Sequence, residues 1–153
     1  MNPKRVITVV LMVFVAVSII WLVVRDVSSQ KSVPASDQPS SARQLMVYYF
    51  HRTARCPTCL KIEALAKQEV EATFAAELAS GRMRFQSINV EGAGNEHFIK
   101  DYELVSQALI LVDYRAGTQH RWKNLDAIWD LVDHESDFAQ YVRMEIQVFR
   151  GAA

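Results

Sequence analysis

Residues 44–79 read QLMVYYFHRTARCPTCLKIEALAKQEVEATFAAELA, and the fold turns on how that stretch divides. Gln44 to Phe50 is a continuous apolar and aromatic run of strand length, the pattern of a strand covered on both faces as in a parallel sheet. The polar segment His51 to Arg55 follows, and then Cys56-Pro57-Thr58-Cys59, which holds both of the chain's 2 cysteines. Pro57 suits the first turn of a helix, where its missing N–H has no partner to lose. Beyond it Ile62, Leu65, Ala66, Val70, Phe74 and Leu78 recur at three- and four-residue steps. They predict one amphipathic helix over Leu60–Ala79, ended by Ser80-Gly81. Two thiols three residues apart at a helix start are neighbours on one face, close enough to close a disulfide.

Downstream, Met83 to Val90 alternates as a second strand, Glu91 to Asn95 breaks the chain, and Glu96 to Tyr102 suits a short helix. Ala108 to Tyr114 (ALILVDY) reads as a third strand. Arg115-Ala116-Gly117 makes a turn and Gln119 to Trp122 a fourth strand, together a hairpin. Asn124 is a plausible N-cap for a helix through Leu131, and Asp133 for another, in which Phe138, Tyr141, Val142, Ile146 and Phe149 share a face. The predicted fold class is α/β: a mixed sheet in the order β-α-β-α-β-β-α, with helices on both faces.

Upstream lie two segments of different character. Val6 to Val24 is an apolar run broken only by the uncharged Thr8 and Ser18. Its helical length of about 28 Å is close to the hydrocarbon thickness of a bilayer, with Trp21 placed as an interfacial anchor. A cleaved signal peptide has a shorter apolar stretch, and Val33-Pro34-Ala35 lies well past the run. Residues 1–25 are therefore expected to form an uncleaved transmembrane anchor. Residues 26–43 (DVSSQKSVPASDQPSSAR), which bury too little to offset their chain entropy, read as a flexible linker, and residues 44–153 as the folded domain. The short amino tail places that domain on the periplasmic, extracytoplasmic side of the inner membrane, an oxidising compartment where a disulfide persists.

Charge excludes one class of partner. The chain carries 17 basic and 17 acidic side chains, and from Gln44 onward 12 against 15. No basic stripe with interleaved aromatics stands out, so nucleic acid is not an expected partner.

Taken in this order, strand, CxxC at its end, helix, strand with Asn89, short helix and closing hairpin, residues 44–153 resemble the thioredoxin-like superfamily. The resemblance implies that Cys56 is the exposed nucleophile and that Cys59 resolves the mixed disulfide. It implies a protein redox partner and no cofactor beyond the Cys56–Cys59 disulfide itself. A narrower likeness is carried by YYFHRTARCPTCLKIE, NVEGAGNEHFIKDYEL and RWKNLDAIWDLV. These are similar to a family of nitrophenyl-compound nitroreductase subunits (the ArsF family), which implies electron supply to a nitroreductase-type partner. Two departures from the superfamily pattern stand out. Ala108 occupies the place of its cis-proline, and a non-proline cis bond costs about 2.5–4 kcal/mol, so a trans peptide is expected. The superfamily's buried carboxylate has no counterpart: alignment of the strand puts Tyr48 there, and counting back from Cys56 puts Phe50.

The chemistry of the motif points the same way. A thiolate is the attacking species, and a helix N-terminus and nearby cations favour it. Arg55 adjoins Cys56, and His51 is the histidine nearest the dithiol in sequence, a candidate acid or base. Pro57 and Thr58 complete the motif. A disulfide closing so short a loop constrains the unfolded chain little, which disfavours a structural staple. A zinc site needs about four ligands, and beyond Cys56 and Cys59 only His51 offers itself. The alternative function is a protein that holds a thiophilic metal or trivalent arsenical between the two sulfurs. His97, His120 and His134 read as surface residues; Trp122, Trp129 and Tyr141 read as core aromatics.

Overall fold

The structure, a computed structural model, describes residues 43–151. The apolar run Val6–Val24 and the linker up to Ala42 lie outside the described residues. Among those described, no helix is long and apolar enough to cross a membrane. Strands β1 (Gln44–His51), β2 (Met83–Asn89), β3 (Ala108–Arg115) and β4 (Thr118–Asn124) form a mixed sheet in the spatial order β2-β1-β3-β4. Strand β1 runs parallel to β2 and antiparallel to β3, and β3 and β4 form the antiparallel hairpin. Helices α1 (Pro57–Thr73) and α2 (Ala75–Ala79) connect β1 to β2, and α3 (His97–Asp101) connects β2 to β3. Helices α4 (Ile128–Leu131) and α5 (Glu135–Gly151) close the domain. Counting the helices of each connection together, this is the β-α-β-α-β-β-α order that the sequence led us to expect.

The uninterrupted apolar character of β1 follows from its central place. With a strand on either side and helices on both faces, every residue from Leu45 to Phe50 is buried. Strand parity then sorts its side chains into two cores. Leu45, Val47 and Tyr49 pack with Ile62, Ala66 and Val70 of α1 and with Phe138, Val142 and Ile146 of α5. Met46, Tyr48 and Phe50 point the other way, onto Tyr102, Ala108, Ile110 and Val112, with Phe98 of α3 and Trp122 packed against them. Trp129 and Tyr141, read from the sequence as core aromatics, are half-buried and pack against the first core.

Several boundaries differ from the sequence expectation. The helix foreseen over Leu60–Ala79 is two helices, because Phe74 leaves helical geometry (φ −115°, ψ 29°) and drives its ring into the core. Asn124 does not cap a helix; it continues the β4 ladder opposite Ile110, and Leu125 still donates to the Leu109 carbonyl at 2.9 Å. Asp133 is likewise no cap. The His134 carbonyl accepts the first bond of α5, from Phe138 N–H at 2.9 Å. The hairpin loop is Ala116-Gly117, both with positive φ (50° and 76°), as a two-residue primed turn requires.

Two buried carboxylates tie elements together. Glu69 of α1 accepts from Arg143 Nε of α5 at 2.8 Å and from the Thr73 hydroxyl at 2.5 Å. Asp113 of β3, wholly buried, is met by Arg43 Nε at 2.7 Å, an Arg115 guanidinium nitrogen at 3.3 Å and Arg121 Nε at 3.5 Å. Arg43 also donates to the Arg150 carbonyl at 2.9 Å, joining the entry of β1 to the end of α5. Since Asp113 pairs with Leu45 at the start of β1, this cluster sits at the opposite end of the sheet from the cysteines.

Candidate functional site

Where β1 ends, the chain leaves the sheet through residues 52–55 and enters α1 at Cys56. That connection is strapped to the end of β2. Thr53 N–H donates to Glu91 Oε2 at 2.9 Å, Asn89 Nδ2 donates to the Thr53 hydroxyl at 3.0 Å, and Val90 N–H donates to the His51 carbonyl at 2.9 Å. The Thr53 N–H bond holds the Glu91 carboxyl below its usual range. Cys56 is the N-cap of α1, in extended geometry (φ −82°, ψ 159°), with Pro57 in the first helical turn.

Cys56 and Cys59 are joined as a disulfide, with their Cα atoms 5.1 Å apart. The two sulfurs differ in setting. Cys56, Pro57 and Thr58 are exposed, whereas Cys59 is 2 % exposed. The Cys59 N–H donates to Cys56 Sγ at 3.0 Å, so a backbone donor at the positive end of the α1 dipole is aimed at the accessible sulfur. Charge placed on Cys56 by reduction is stabilised where it forms. An accessible, donor-stabilised sulfur paired with a buried one is a geometry suited to attack from Cys56 and release by Cys59.

Beneath the motif lies a group that sequence reasoning missed. The Tyr49 hydroxyl donates to the Cys59 carbonyl at 2.7 Å. Burial, opposed by the Arg55 charge and reinforced by that of Glu63, pushes its phenol up to about 12. The Arg55 guanidinium sits over the Tyr49 ring, 5.9 Å from its centroid, and forms an ion pair with Glu63 Oε2. Both partners of that pair are about three-quarters buried, with side-chain exposures of 23 % and 21 %. Burial raises the Glu63 pKa, but hydrogen bonds from Ser87 and Arg55 and the charges of Arg55 and His51 outweigh it and hold the carboxyl below its usual range. Arg55 Nε is buried and has no acceptor among the described residues.

These positions correct the sequence picture of the site. Neither Tyr48 nor Phe50, the positions matched to the superfamily's carboxylate, faces the cysteines; both belong to the core on the far side of the sheet. Tyr49 faces them instead, one residue out of step. The carboxylate on this side is Glu63, supplied by the helix, one turn beyond Cys59. A legible signal existed: Glu63 stands at i+4 from Cys59, the spacing of helix-face neighbours.

His51 stacks on Tyr49, with ring centroids 6.3 Å apart, and its Nδ1 donates to the Arg52 carbonyl at 2.9 Å. Among the described residues, with Cys56 and Cys59 joined as a disulfide, no group of three or more His, Cys, Asp or Glu is arranged to hold a metal ion. Ala108 opens β3 opposite Phe50, with its side chain buried in the far core. No peptide bond among the described residues is cis, in agreement with the expectation for Ala108. Just before it, Val105 stands 91 % exposed. Trp122 packs edge-on to Tyr102 at 5.6 Å, within the far core. His97, His120 and His134 are exposed, as read from the sequence.

A scan against family models finds no match to this chain, and neither does a search of curated proteins. Among solved structures, the germline-specific thioredoxin Deadhead of Drosophila melanogaster is similar at 17 % identity with a TM-score of 0.39, over 61 % of this chain and 80 % of that one. A thioredoxin of Trypanosoma brucei brucei shares 17 % identity with a TM-score of 0.38, over 71 % and 80 %. The thioredoxin of Fasciola hepatica shares 20 % with a TM-score of 0.34, over 60 % and 81 %. All three likenesses are distant, and the chemistry of the site follows from this chain's own geometry.

Proposed function

We propose that this protein is a thiol-disulfide oxidoreductase working through Cys56 and Cys59. The observation that carries the reading is the asymmetry of the disulfide. Cys56 is exposed and accepts the Cys59 N–H, while Cys59 is buried behind it. In the reducing direction the Cys56 thiolate attacks a partner disulfide, forming a Cys56–partner bond and expelling one partner thiolate. Cys59 then loses its proton and attacks Cys56 Sγ, which re-forms the Cys56–Cys59 bond and expels the second thiolate. Two electrons pass from the dithiol to the partner, and the reverse sequence oxidises a partner dithiol. The dithiol is itself the redox group, so the reading calls for no further cofactor.

The wider setting belongs to the same proposal and is supported by sequence alone. The apolar run Val6–Val24 makes the protein a single-pass inner-membrane protein, with the dithiol domain on the periplasmic side. Its redox partner is a protein, bound through a mixed disulfide. The three stretches similar to nitroreductase subunits favour a nitroreductase-type partner.

The test uses the full chain in detergent micelles, reduced and freed of reductant, with insulin as the disulfide substrate. Insulin reduction by the wild type that stops in Cys59→Ala at a trapped Cys56–insulin disulfide, and is lost altogether in Cys56→Ser, supports exchange. Turnover by Cys56→Ser would overturn it. Stoichiometric binding of arsenite or Zn²⁺ to the reduced pair, without any exchange with insulin or glutathione disulfide, would replace it with metalloid or metal binding.

A further inference from the structure

The ion pair between Arg55 and Glu63 brackets the motif: one partner directly precedes Cys56, and the other lies one helical turn beyond Cys59. We propose that Glu63 is a positioning residue that fixes the Arg55 guanidinium beside the dithiol and offsets its charge. The pair thereby sets how readily Cys56 ionises and how strongly oxidising the disulfide is. The inference rests on the exchange function proposed above and specifies how that same site is tuned.

Arg55 is held on three sides. Glu63 pairs with it, Tyr49 underlies it, and the connection that carries it is strapped to β2 through Thr53. Its Nε is buried without an acceptor in the disulfide state. Reduction breaks the Cys56–Cys59 bond, takes up two electrons and one proton, and leaves a thiolate on Cys56 and a thiol on Cys59. The new anion lies next in sequence to a cation whose only ion-pair partner among the described residues is Glu63. Carboxylate and thiolate then share one guanidinium. Other groups facing the pair are His51 and Tyr49 from β1 and Ser87 from β2. Of these, Tyr49 and Ser87 are neutral at pH 7, so the charges in balance are those of Arg55 and Glu63, with His51 the one further basic group facing Glu63.

The direction of each perturbation follows. Glu63→Gln keeps the shape and a hydrogen-bond acceptor but removes the negative charge, which leaves Arg55 wholly to the thiolate. Cys56 then ionises at lower pH, and the reduced form, being better stabilised, makes the disulfide a stronger oxidant. Arg55→Gln does the opposite. Removing one full charge from a partly buried cluster next to an ionising group is worth on the order of tenfold in ionisation.

The experiment measures the rate of iodoacetamide alkylation of Cys56 against pH in the reduced full chain in micelles, locating the modified cysteine by mass. It also measures the dithiol-to-disulfide ratio in glutathione redox buffers. For Glu63→Gln we expect half-maximal alkylation at about tenfold higher proton concentration and an exchange equilibrium moved about tenfold toward the dithiol, about 30 mV more oxidising. Arg55→Gln moves both readouts the other way, and it tests the sign independently should Glu63→Gln fail to fold. In the Arg55→Gln background the Glu63→Gln effect disappears. A midpoint within twofold of wild type in folded Glu63→Gln overturns the proposal, as does an undiminished Glu63→Gln effect without Arg55. An unchanged midpoint with slowed release of the mixed disulfide would also overturn it, making Glu63 the proton acceptor of Cys59. The alkylation readout needs no exchange partner, so a wild-type protein inert toward insulin refutes the exchange reading while leaving this one to be judged on its own shifts.

Discussion

Asp113→Asn isolates the charge cluster that closes the end of the sheet away from the cysteines. Asparagine preserves volume and one acceptor but removes the negative charge, leaving Arg43, Arg115 and Arg121 gathered around a neutral group. Breaking a fully buried ion pair from one side costs about 3–5 kcal/mol, whereas an exposed pair contributes about 0–1 kcal/mol. Here the carboxylate side chain is 0 % exposed while the three cations are 34 %, 42 % and 26 % exposed. Solvent screening of the cations therefore places the expected loss between those limits, at about 2–3 kcal/mol. For a domain of this size that lowers the melting temperature by about 10 °C or more. The assay is urea unfolding of the full chain in micelles, followed by tryptophan fluorescence, at several pH values. Burial raises the Asp113 pKa, but the Arg43 hydrogen bond and the charges of Arg43 and Arg115 outweigh it and hold it below the usual carboxylate range. A depressed folded-state value means that the stabilisation is fully present above the unfolded value of about 4 and is lost as pH falls through the lower folded value. The gap between wild type and variant is thus constant from pH 7 to pH 5 and narrows only below about pH 4. Equal stabilities at pH 7, or a gap that widens on acidification, would refute the assignment of this cluster as a stabilising clasp.

Two further outcomes are expected. Tyr49→Phe removes the hydroxyl that holds the Cys59 carbonyl and is expected to lower the stability of the disulfide form by about 1 kcal/mol in urea unfolding; unchanged stability would show that bond to be idle. Ala116→Asn places a residue tolerant of left-handed backbone at the first loop position of the hairpin, where Ala116 has φ 50°. It should raise stability by about 0.5–1 kcal/mol, and a lower melting temperature would count against the primed-turn assignment.

Much of this domain is written in local pattern. The unbroken apolar run Leu45–Phe50 declares a central strand because only a strand with cover on both faces can afford no polar residue. The Cys-Pro-Thr-Cys motif declares a helix start through Pro57, and the ALILVDY and Ala-Gly signals declare the hairpin. The misplaced boundaries are those where a long-range demand outweighed local propensity. Phe74 breaks its helix to fill the core, and Asn124 stays in the ladder although its side chain would suit a cap.

The sequence by itself determined the element order and put Cys56 within disulfide reach of Cys59 at a helix start, because each depends on residues close together along the chain. Only the tertiary structure decided what surrounds that pair. Strand parity is exact to one residue, so whether Tyr48, Tyr49 or Phe50 faces the dithiol rests on which side of β1 receives α1. The sheet and helix together bring Tyr49 of β1, Arg55 of the connection after it, Glu63 of α1 and Ser87 of β2 to one place. Charges and hydrogen bonds act through space over a few ångströms, and distances along the chain do not reveal them.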